Sequence, residues 1–234
     1  MKLKNKIKFI YFDLDNTLWD FKKNSVMALE RLYDKKIKNL KRGNIDFQTF
    51  KNIYEKHNST MWRAYERQEI TPEVLKIKRF EKTIEELQLN EWIKATDLND
   101  VYIHSLPNFP YLMPNAKEIL EYLVSQYSLG ILSNGFEDTQ YRKLQSGGIV
   151  KYFDIIITSD QVGCSKPNEG IFQYAIKKSG CSPKEIVYVG DDYKIDVLAA
   201  NKMNIIGILL DPQNKMKEDS IIKIKDLIEL KNYL

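Results

Sequence analysis

The stretch that decides the fold is IKFIYFDLDNTL, residues 7–18, in which an apolar run ends in two closely spaced carboxylates. Ile7 to Phe12 is typical of a buried strand, because it is short and rich in aromatic and branched side chains. Similar apolar runs recur later in the chain, at Ser128 to Leu132, Phe153 to Thr158, Ile186 to Val189 and Ile205 to Leu210. Segments of helical length lie between them, so the sequence predicts an α/β fold with a doubly wound parallel sheet.

The helices that complete this alternation are predicted near Asn115 to Gln126, Glu137 to Ser146, Glu169 to Ser179 and Tyr193 to Asn201. The tail predicts one more short strand, Ile221 to Ile224. A terminal helix is expected to follow it and to turn its leucines toward the core, at Leu227, Leu230 and Leu234.

The interval between the first two strands breaks the alternation. Apolar residues recur there at helical spacing, as at Ile77, Phe80 and Ile84, and strand-like patterns are scarce. Prolines precede the second strand and mark the return to the core. We therefore predict two domains, which are a core of residues 1–18 and 108–234 and a helical insertion of residues 19–107.

The composition is that of a soluble globular protein, with 43% hydrophobic and 29% charged residues among 234. The net charge of +4 includes a basic run, Lys35 to Arg42, which is typical of a solvated helix end. No basic face with interleaved aromatic residues points to a nucleic-acid polymer, and no apolar run approaches the roughly 18 to 20 residues that span a membrane. The two cysteines, Cys164 and Cys181, form no CxxC pair, which favours reduced thiols and a cytoplasmic protein.

Polar residues that carry chemistry follow four of the predicted strands. They are Asp13-Leu14-Asp15-Asn16-Thr17, Ser133-Asn134-Gly135, Ser165-Lys166-Pro167 and Gly190-Asp191-Asp192 with Asp196. Each motif alone is ordinary loop or turn chemistry. Ligands bind outside the carboxyl ends of the strands in open α/β sheets, so all four motifs in this order predict one active site.

The two carboxylates of the first motif suit phosphoryl transfer. Asp13 is the candidate nucleophile, since a carboxylate that attacks phosphorus divides one difficult displacement into two easier ones. Asp15 is placed to act as an acid toward the leaving oxygen and then as a base toward water. Lys166 completes the catalytic set, because an ammonium group stabilises the charge of the transferred group.

The phosphate oxygens also need fixed donors around them. We expect the hydroxyls of Thr17 and Ser133 and the ammonium of Lys166 to supply these, while Asn134 and Gly135 allow backbone amides to turn toward the phosphate.

Carboxylates gathered at the strand ends would repel one another without a cation between them. Mg²⁺ prefers oxygen ligands and bridges to phosphate oxygens. We expect Asp13, Asp15 and Asp191 to bind it. Asp192 and Asp196 are each an alternate ligand or a support behind the ligands, and support is the favoured role for Asp196.

These motifs resemble those of the haloacid dehalogenase superfamily, and the resemblance spans nearly the whole chain. It implies a Rossmann-like core, a helical cap inserted between the first and second motifs, Mg²⁺ and an aspartyl phosphate intermediate. Dehalogenase members lack the second carboxylate of the first motif, so Asp15 favours the phosphatase branch. The insertion is similar to that of bacterial pyrimidine 5′-nucleotidases, at Met61-Trp62-Arg63-Ala64-Tyr65, Ile70-Thr71 and Arg79-Phe80. It departs from their pattern at Gln68, where glycine is expected.

The resemblance implies hydrolysis of nucleoside 5′-monophosphates, with a small phosphomonoester as the substrate. Trp19, Trp62 and Tyr65 are candidate substrate contacts, although Trp62, Tyr65 and Phe80 also suit packing inside the cap. The alternatives are a sugar-phosphate phosphatase or phosphomutase with the same core, and a catalytically idle binding module. Sequence leaves both a monomer and a homodimer open.

Overall fold

The computed structural model describes residue 3, residues 6–40 and residues 45–234 of the chain. The basic run from Lys35 to Arg42 therefore lies partly outside the described residues. The chain divides into two compact units, a core unit of Met1–Phe21 with Pro110–Leu234 and a helical unit of Lys22–Phe109.

The core unit is built on a parallel sheet of six strands. They are β1 (Phe9–Phe12), β2 (Ser128–Ser133), β3 (Ile155–Thr158), β4 (Ile186–Gly190), β5 (Ile206–Leu210) and β6 (Ile222–Ile224). Their order is β3-β2-β1-β4-β5-β6. From β1 the chain adds β2 and β3 on one side of the sheet, and it then crosses back and adds β4, β5 and β6 on the other side of β1. This confirms the predicted α/β fold with a doubly wound parallel sheet.

The register of the sheet brings the ends of the central strands to one level. Phe12, the last residue of β1, pairs with Ile131 of β2 and with Val189 of β4. Burial of all four β1 residues explains why this segment carries no polar side chain until Asp13. The polar residues that follow the three strands are consequently neighbours.

The α-helices alternate with these strands or lie in the helical unit. They are α1 (Phe21–Lys36), α2 (Phe47–Glu66), α3 (Pro72–Glu86), α4 (Ala95–Ser105), α5 (Ala116–Leu123), α6 (Glu137–Ser146), α7 (Ser159–Val162), α8 (Glu169–Ser179) and α9 (Ala199–Lys202). Short 3-10 helices cover Leu106–Asn108, Val150–Tyr152, Pro183–Glu185 and Leu227–Asn232. No helix among the described residues is long and apolar enough to cross a membrane.

Two predicted helices take other forms. The segment after β4 begins as a π-helix, Tyr193–Leu198, and continues as α9. The terminal helix is the 3-10 helix Leu227–Asn232, which still buries Leu227 and Leu230. The apolar spacing of three residues in this tail fits both helix types, so the pattern alone did not distinguish them.

The helical unit is held together by aromatic side chains from successive helices. Tyr54 of α2 contacts Phe80 of α3 at 4.9 Å and Tyr102 of α4 at 5.4 Å between ring centroids. All three are buried, which agrees with the interpretation of Phe80 as a packing residue. Thr71 caps α3 by accepting the backbone N–H of Val74, so this helix begins at the residue where its capping chemistry places it.

Candidate active site

The loop after β1 places the first motif in a compact turn. Asp13 directly follows the strand, and the carbonyl oxygen of Leu14 accepts the backbone N–H groups of Leu18 and Trp19 at 3.0 and 2.9 Å. Asn16 has a φ of 60°, in the left-handed region that asparagine tolerates better than most residues. The turn thereby fixes the backbone on which both carboxylates of the motif are carried.

Lys166 joins the first, third and fourth motifs. Its ammonium lies 2.7 Å from Asp13 Oδ1, 2.7 Å from Asp196 Oδ1 and 2.7 Å from the hydroxyl oxygen of Tyr188. All four side chains are buried. The two carboxylates and Lys166 thus form one buried charged centre, which brings together the predicted catalytic residues Asp13 and Lys166.

Burial dominates the electrostatics of this centre. It raises the pKa of Asp13 to about 7, although the charge of Lys166 opposes that rise. Burial alone would lower the pKa of Lys166, but the carboxylates of Asp13 and Asp196 more than offset this effect and raise it. Lys166 is therefore a permanent cation, while Asp13 is poised to lose its proton near neutral pH.

Three carboxylates are close enough to hold a metal ion together. One oxygen from each of Asp13, Asp191 and Asp196 lies within 4.8 Å of the others. Burial, followed by the charges of Asp13 and Asp196, raises the pKa of Asp191 to about 8. Gly190 makes the arrangement possible, since a β-carbon at this position would collide with the Asp196 carboxylate. The cluster is an all-oxygen donor set with an excess of negative charge.

The other predicted metal ligands have different neighbours. Asp15, predicted as a ligand, is outside the cluster of three, because its carboxylate forms an ion pair with Lys143 at 2.8 Å. Asp192, the predicted alternate, is exposed and caps the π-helix by accepting the backbone N–H groups of Lys194 and Ile195. Asp196 lies in the cluster itself, which is compatible with the alternate-ligand role that the sequence left open for it.

Asp15 is flanked by two residues that sequence reasoning missed. Lys143 Nζ is 2.8 Å from both Asp15 oxygens, and Gln140 Nε2 is 3.2 Å from Oδ2. Both residues are buried on one face of α6, three positions apart. A buried lysine and glutamine at helical spacing was the available signal, but polar residues on a predicted helix are ordinarily assigned to its solvent face.

The predicted phosphate-binding hydroxyls lie in the same unit. Thr17 Oγ1 is buried and has no hydrogen-bond partner among the described residues. Ser133 Oγ accepts from Gln140 Nε2 at 2.6 Å and from the backbone N–H of Gly135 at 3.3 Å. An unpartnered buried hydroxyl is costly unless a ligand satisfies it, so Thr17 points to a polar ligand.

Asn134 acts through the loop that carries Lys166. Its side-chain amide donates to the backbone carbonyl of Lys166 at 2.9 Å and accepts the backbone N–H of the same residue at 2.7 Å. This paired contact fixes the second motif to the third. The side-chain amide of Asn134 is thus engaged with the backbone of Lys166, and contact of the backbone amides of Asn134 and Gly135 with a phosphate stays a prediction.

The aromatic candidates for substrate contact are separated. Trp19 belongs to the core unit and is fully buried, with the ammonium of Lys143 4.8 Å from its ring centroid. Trp19 was predicted to belong to the insertion, at residues 19–107, whereas it falls in the core unit. Trp62 is half-buried in α2 and packs edge-on against the buried Tyr65 at 5.8 Å. Their contact with a substrate stays a prediction.

Comparison with known proteins agrees with this geometry. The family model for the haloacid dehalogenase-like hydrolases matches residues 10–209. Pyrimidine 5′-nucleotidase YjjG of Escherichia coli (strain K12) is 28% identical over 218 residues, which cover 92% of this chain and 91% of that protein. Pyrimidine 5′-nucleotidase PynA of Streptococcus pneumoniae (strain ATCC BAA-255 / R6) is 26% identical over 209 residues, with 88% and 85% covered.

A relative of a different named activity is equally similar. The glyceraldehyde 3-phosphate phosphatase of Methanocaldococcus jannaschii is 27% identical over 238 residues, and the match covers 96% of this chain and 96% of that protein. Among solved structures, the HAD-hydrolase YfnB from Bacillus subtilis, described as bound to magnesium, has a TM-score of 0.84 at 24% identity and covers 97% of this chain and 98% of its own. That likeness supports the fold. Because the family match spans most of the sequence and includes all four motifs, this chain belongs to the haloacid dehalogenase-like hydrolases.

Proposed function

We propose that this hydrolase is a phosphomonoesterase that works through a phosphorylated Asp13. The observation that carries the proposal is the division of the two first-motif carboxylates between two cations. Asp13 is buried against Lys166, whereas Asp15, two residues further on, is paired with Lys143. Two carboxylates on one loop can thus take the two roles that phosphoryl transfer through an enzyme intermediate requires.

In the first half-reaction, an Asp13 oxygen forms a bond to phosphorus as the bond from phosphorus to the ester oxygen breaks. Protonated Asp15 gives its proton to the departing oxygen, so that an alcohol leaves rather than an alkoxide. Lys166 faces the charge that develops on the phosphoryl oxygens. Thr17 Oγ1 is a free buried donor for these oxygens.

In the second half-reaction, Asp15 as a carboxylate takes a proton from water. The water oxygen bonds to phosphorus, the bond from phosphorus to Asp13 breaks, and inorganic phosphate leaves. Ser133 contributes a donor in both steps, because Gln140 and the Gly135 amide already donate to its oxygen and leave its own proton for a phosphate oxygen.

The acidic cluster fits Mg²⁺, since the closely spaced oxygens of two buried carboxylates, Asp13 and Asp196, and of the exposed Asp191 need a hard cation to balance their charge. Asp13, Asp191 and Asp196 are the residues that would hold it. When bound, the ion supplies positive charge to the phosphate oxygens. Mg²⁺ dependence is part of the proposal. A ligand role for the Asp15 carboxylate stays a prediction, and its ion pair with Lys143 favours the acid/base role instead.

For the substrate, we favour nucleoside 5′-monophosphates, chiefly the pyrimidine ones. The support is that two relatives named as pyrimidine 5′-nucleotidases align over most of their length and of this chain. Trp62 and Tyr65 remain the candidate contacts in the insertion.

A sugar-phosphate or triose-phosphate phosphatase is the second candidate, favoured by the similarly extensive match to a glyceraldehyde 3-phosphate phosphatase. A phosphomutase, or a binding module without activity, would keep the same core. We also infer a cytoplasmic location and a monomer or homodimer.

The test is phosphate release from a panel of nucleoside monophosphates, sugar phosphates and glyceraldehyde 3-phosphate, with Mg²⁺ and with a chelator. We expect fastest turnover of uridine and cytidine 5′-monophosphates, loss on chelation and no activity in Asp13→Asn. Asp154→Asn is the matched control, because this exposed carboxylate precedes β3 instead of following a strand.

Each alternative gives a different result. Preference for sugar or triose phosphates would keep the mechanism and replace the substrate. Transfer of phosphate to a second site of the substrate, without release, would identify a mutase. Activity that survives in Asp13→Asn would refute the assignment of Asp13 as the nucleophile. If the wild-type protein hydrolysed none of the esters, the binding module without activity would be the remaining alternative.

A further inference from the structure

Lys143 and Gln140 are the buried polar residues near the first motif that the four motifs do not account for. Lys143 is 3% exposed, and its ammonium lies 2.8 Å from both oxygens of Asp15. The same ammonium is 4.8 Å from the ring centroid of Trp19 and 5.4 Å from that of Phe21. One cation is therefore surrounded by a single carboxylate and two aromatic faces, carried by the loop after β1 and by the first residue of α1.

Gln140 reinforces this contact from the preceding turn of α6. It is fully buried, and its Nε2 donates to Asp15 Oδ2 and to Ser133 Oγ. A β-carbon at Gly135 would collide with the Gln140 side chain, so the glycine of the second motif makes room for this bridge. Through α6, the acid/base carboxylate is coupled to the hydroxyl of the second motif.

The surroundings make this ion pair strongly orienting. Two equal contacts from one ammonium hold both carboxylate oxygens, and the aromatic faces exclude water from the other side of the lysine. At a buried site such contacts are little screened by solvent or salt. The angle and position of the Asp15 carboxylate are consequently set by α6 and not by its own loop alone.

We propose that Lys143, assisted by Gln140, is a positioning residue that aims Asp15 at the ester oxygen of the substrate. The proposal rests on the phosphomonoesterase function above. It assigns Lys143 no contact with the phosphate and no proton of its own. In the first half-reaction, the proton still moves from Asp15 to the leaving oxygen as the bond from phosphorus to that oxygen breaks.

Positioning of an acid has a signature that a structural role lacks. An alkyl ester such as a nucleoside 5′-monophosphate has a poor leaving group and needs the proton, whereas 4-nitrophenyl phosphate releases a stable anion without it. The ratio of kcat/KM for the alkyl ester to kcat/KM for the aryl ester therefore reports how well Asp15 is placed. A variant that merely loses folded protein lowers both values equally.

The experiment compares this ratio in the full chain with Mg²⁺ for wild type, Lys143→Met, Lys143→Arg and Asp15→Asn. Because a misplacement of about 1 Å can cost about 100-fold, we expect Lys143→Met to lower the ratio by roughly 10- to 100-fold. Lys143→Arg keeps a donor pair and should recover part of the loss. Lys151→Met is the matched control, since this exposed lysine also lies over an aromatic ring, Tyr152, but bonds no carboxylate of the site.

A double variant separates positioning from packing. In Asp15→Asn the acid is already absent, so adding Lys143→Met should lower the ratio no further. An unchanged ratio in Lys143→Met, whether or not total activity falls, would overturn the proposal, as would a further loss in the double variant. If Lys143→Met does not fold, Gln140→Leu takes the same test. It should lower the ratio several-fold, and an unchanged ratio would again count against positioning.

Failure of this inference is distinguishable from failure of the proposed function. If Asp13→Asn retains activity on both esters, the phosphomonoesterase mechanism falls. If Asp13→Asn is inactive while Lys143→Met keeps the wild-type ratio, only the role of Lys143 falls. The test uses whichever alkyl phosphomonoester the wild type hydrolyses, so it does not depend on the nucleotide preference.

Discussion

Lys166 in the core unit and Arg79 in the helical unit are both buried cations, yet their neighbours differ in charge. Lys166 lies within 2.7 Å of two carboxylates. Arg79 forms no ion pair among the described residues, and its guanidinium donates instead to the side-chain oxygens of Asn58 and Asn99 at 3.2 and 3.4 Å. One cation belongs to a charged centre and the other to a neutral one.

Aromatic rings take the place of carboxylates around Arg79. Its guanidinium carbon is 5.0 Å from the ring centroid of Tyr102, 5.2 Å from that of Phe80 and 6.0 Å from that of Tyr54. Ring faces attract a cation without carrying a net charge. The helical unit can therefore bury Arg79 as part of its packing, whereas the core unit gathers opposite charges around Lys166. Charged neighbours of both signs, rather than a buried cation alone, distinguish the proposed active site.

The largest effect expected from this comparison is on Lys166→Met. Removal of one fixed donor to a transition-state oxyanion typically lowers kcat by about 10²- to 10³-fold, and we expect a loss of at least that size. The measurement is steady-state phosphate release beside thermal unfolding, because a broken buried pair also destabilises a fold. Lys178→Met is the control, since this exposed lysine likewise lies over a tyrosine ring at 5.4 Å. Comparable loss in both variants would contradict the assignment.

A second prediction concerns the pH dependence of stability without metal. In the unfolded chain Asp13 and Asp191 lose their protons near pH 4. In the folded chain, burial raises the pKa of Asp13 to about 7 and the pKa of Asp191 to about 8. Between these limits the folded state binds more protons, so the free energy of unfolding falls as pH rises from about 4 to about 8. Each pKa unit corresponds to about 1.4 kcal/mol, so a decline of several kcal/mol is expected over this range.

Thermal unfolding at pH 6 and pH 8, with a chelator or with Mg²⁺, checks this prediction. The ion should stabilise the protein more at pH 8, where no protons compete for the carboxylates. Asp191→Asn should flatten the dependence seen with the chelator. Arg79→Met, which leaves the acidic cluster intact, should keep it. Equal slopes in wild type and Asp191→Asn would contradict the placement of this carboxylate in the cluster.

The charged centre was more predictable from sequence than its surroundings. Asp13 directly follows β1, and Lys166 lies beyond β3 and the short helix α7. Because parallel strands bring their carboxyl ends together, the apolar strand patterns sufficed to predict that the two residues lie at one edge of the sheet. The pairing of Asp15 with Lys143 depends on how α6 is rotated about its own axis, which its polar sequence does not specify. The contact of Trp19 with that same lysine depends on the same rotation. Long-range side-chain packing, rather than secondary structure, limited the prediction.

A third prediction tests the neutral surroundings of Arg79. Arg79→Met retains much of the apolar contact with the rings and removes a charge that has no carboxylate partner. Asn99 loses a donor, so we expect a cost of about 1 kcal/mol, well below the 3–5 kcal/mol typical of a broken buried ion pair. Chemical denaturation of the full chain measures it, with Lys82→Met as the exposed control on α3. A cost above about 3 kcal/mol would indicate that Arg79 has a charged partner after all.

The smallest effect extends the comparison from side chains to backbone. Asn16 in the core unit and Gln68 in the helical unit both have a φ of 60°. Asparagine tolerates this conformation, but for glutamine it costs roughly 1–2 kcal/mol, while glycine loses about 0.5–1 kcal/mol through its greater freedom in the unfolded chain. Gln68 is also the position where the nucleotidase pattern has glycine.

Gln68→Gly should therefore stabilise the protein by about 0.5 kcal/mol, and Gln68→Asn should fall between it and wild type. Gln68→Val should destabilise it, because a branched side chain crowds the left-handed backbone further. Matched denaturant titrations measure these differences, with substitutions at the neighbouring exposed Arg67 as the reference for loss of side-chain contacts. Stabilisation by valine as large as that by glycine would show that the side chain, and not the backbone conformation, sets the energy of this turn.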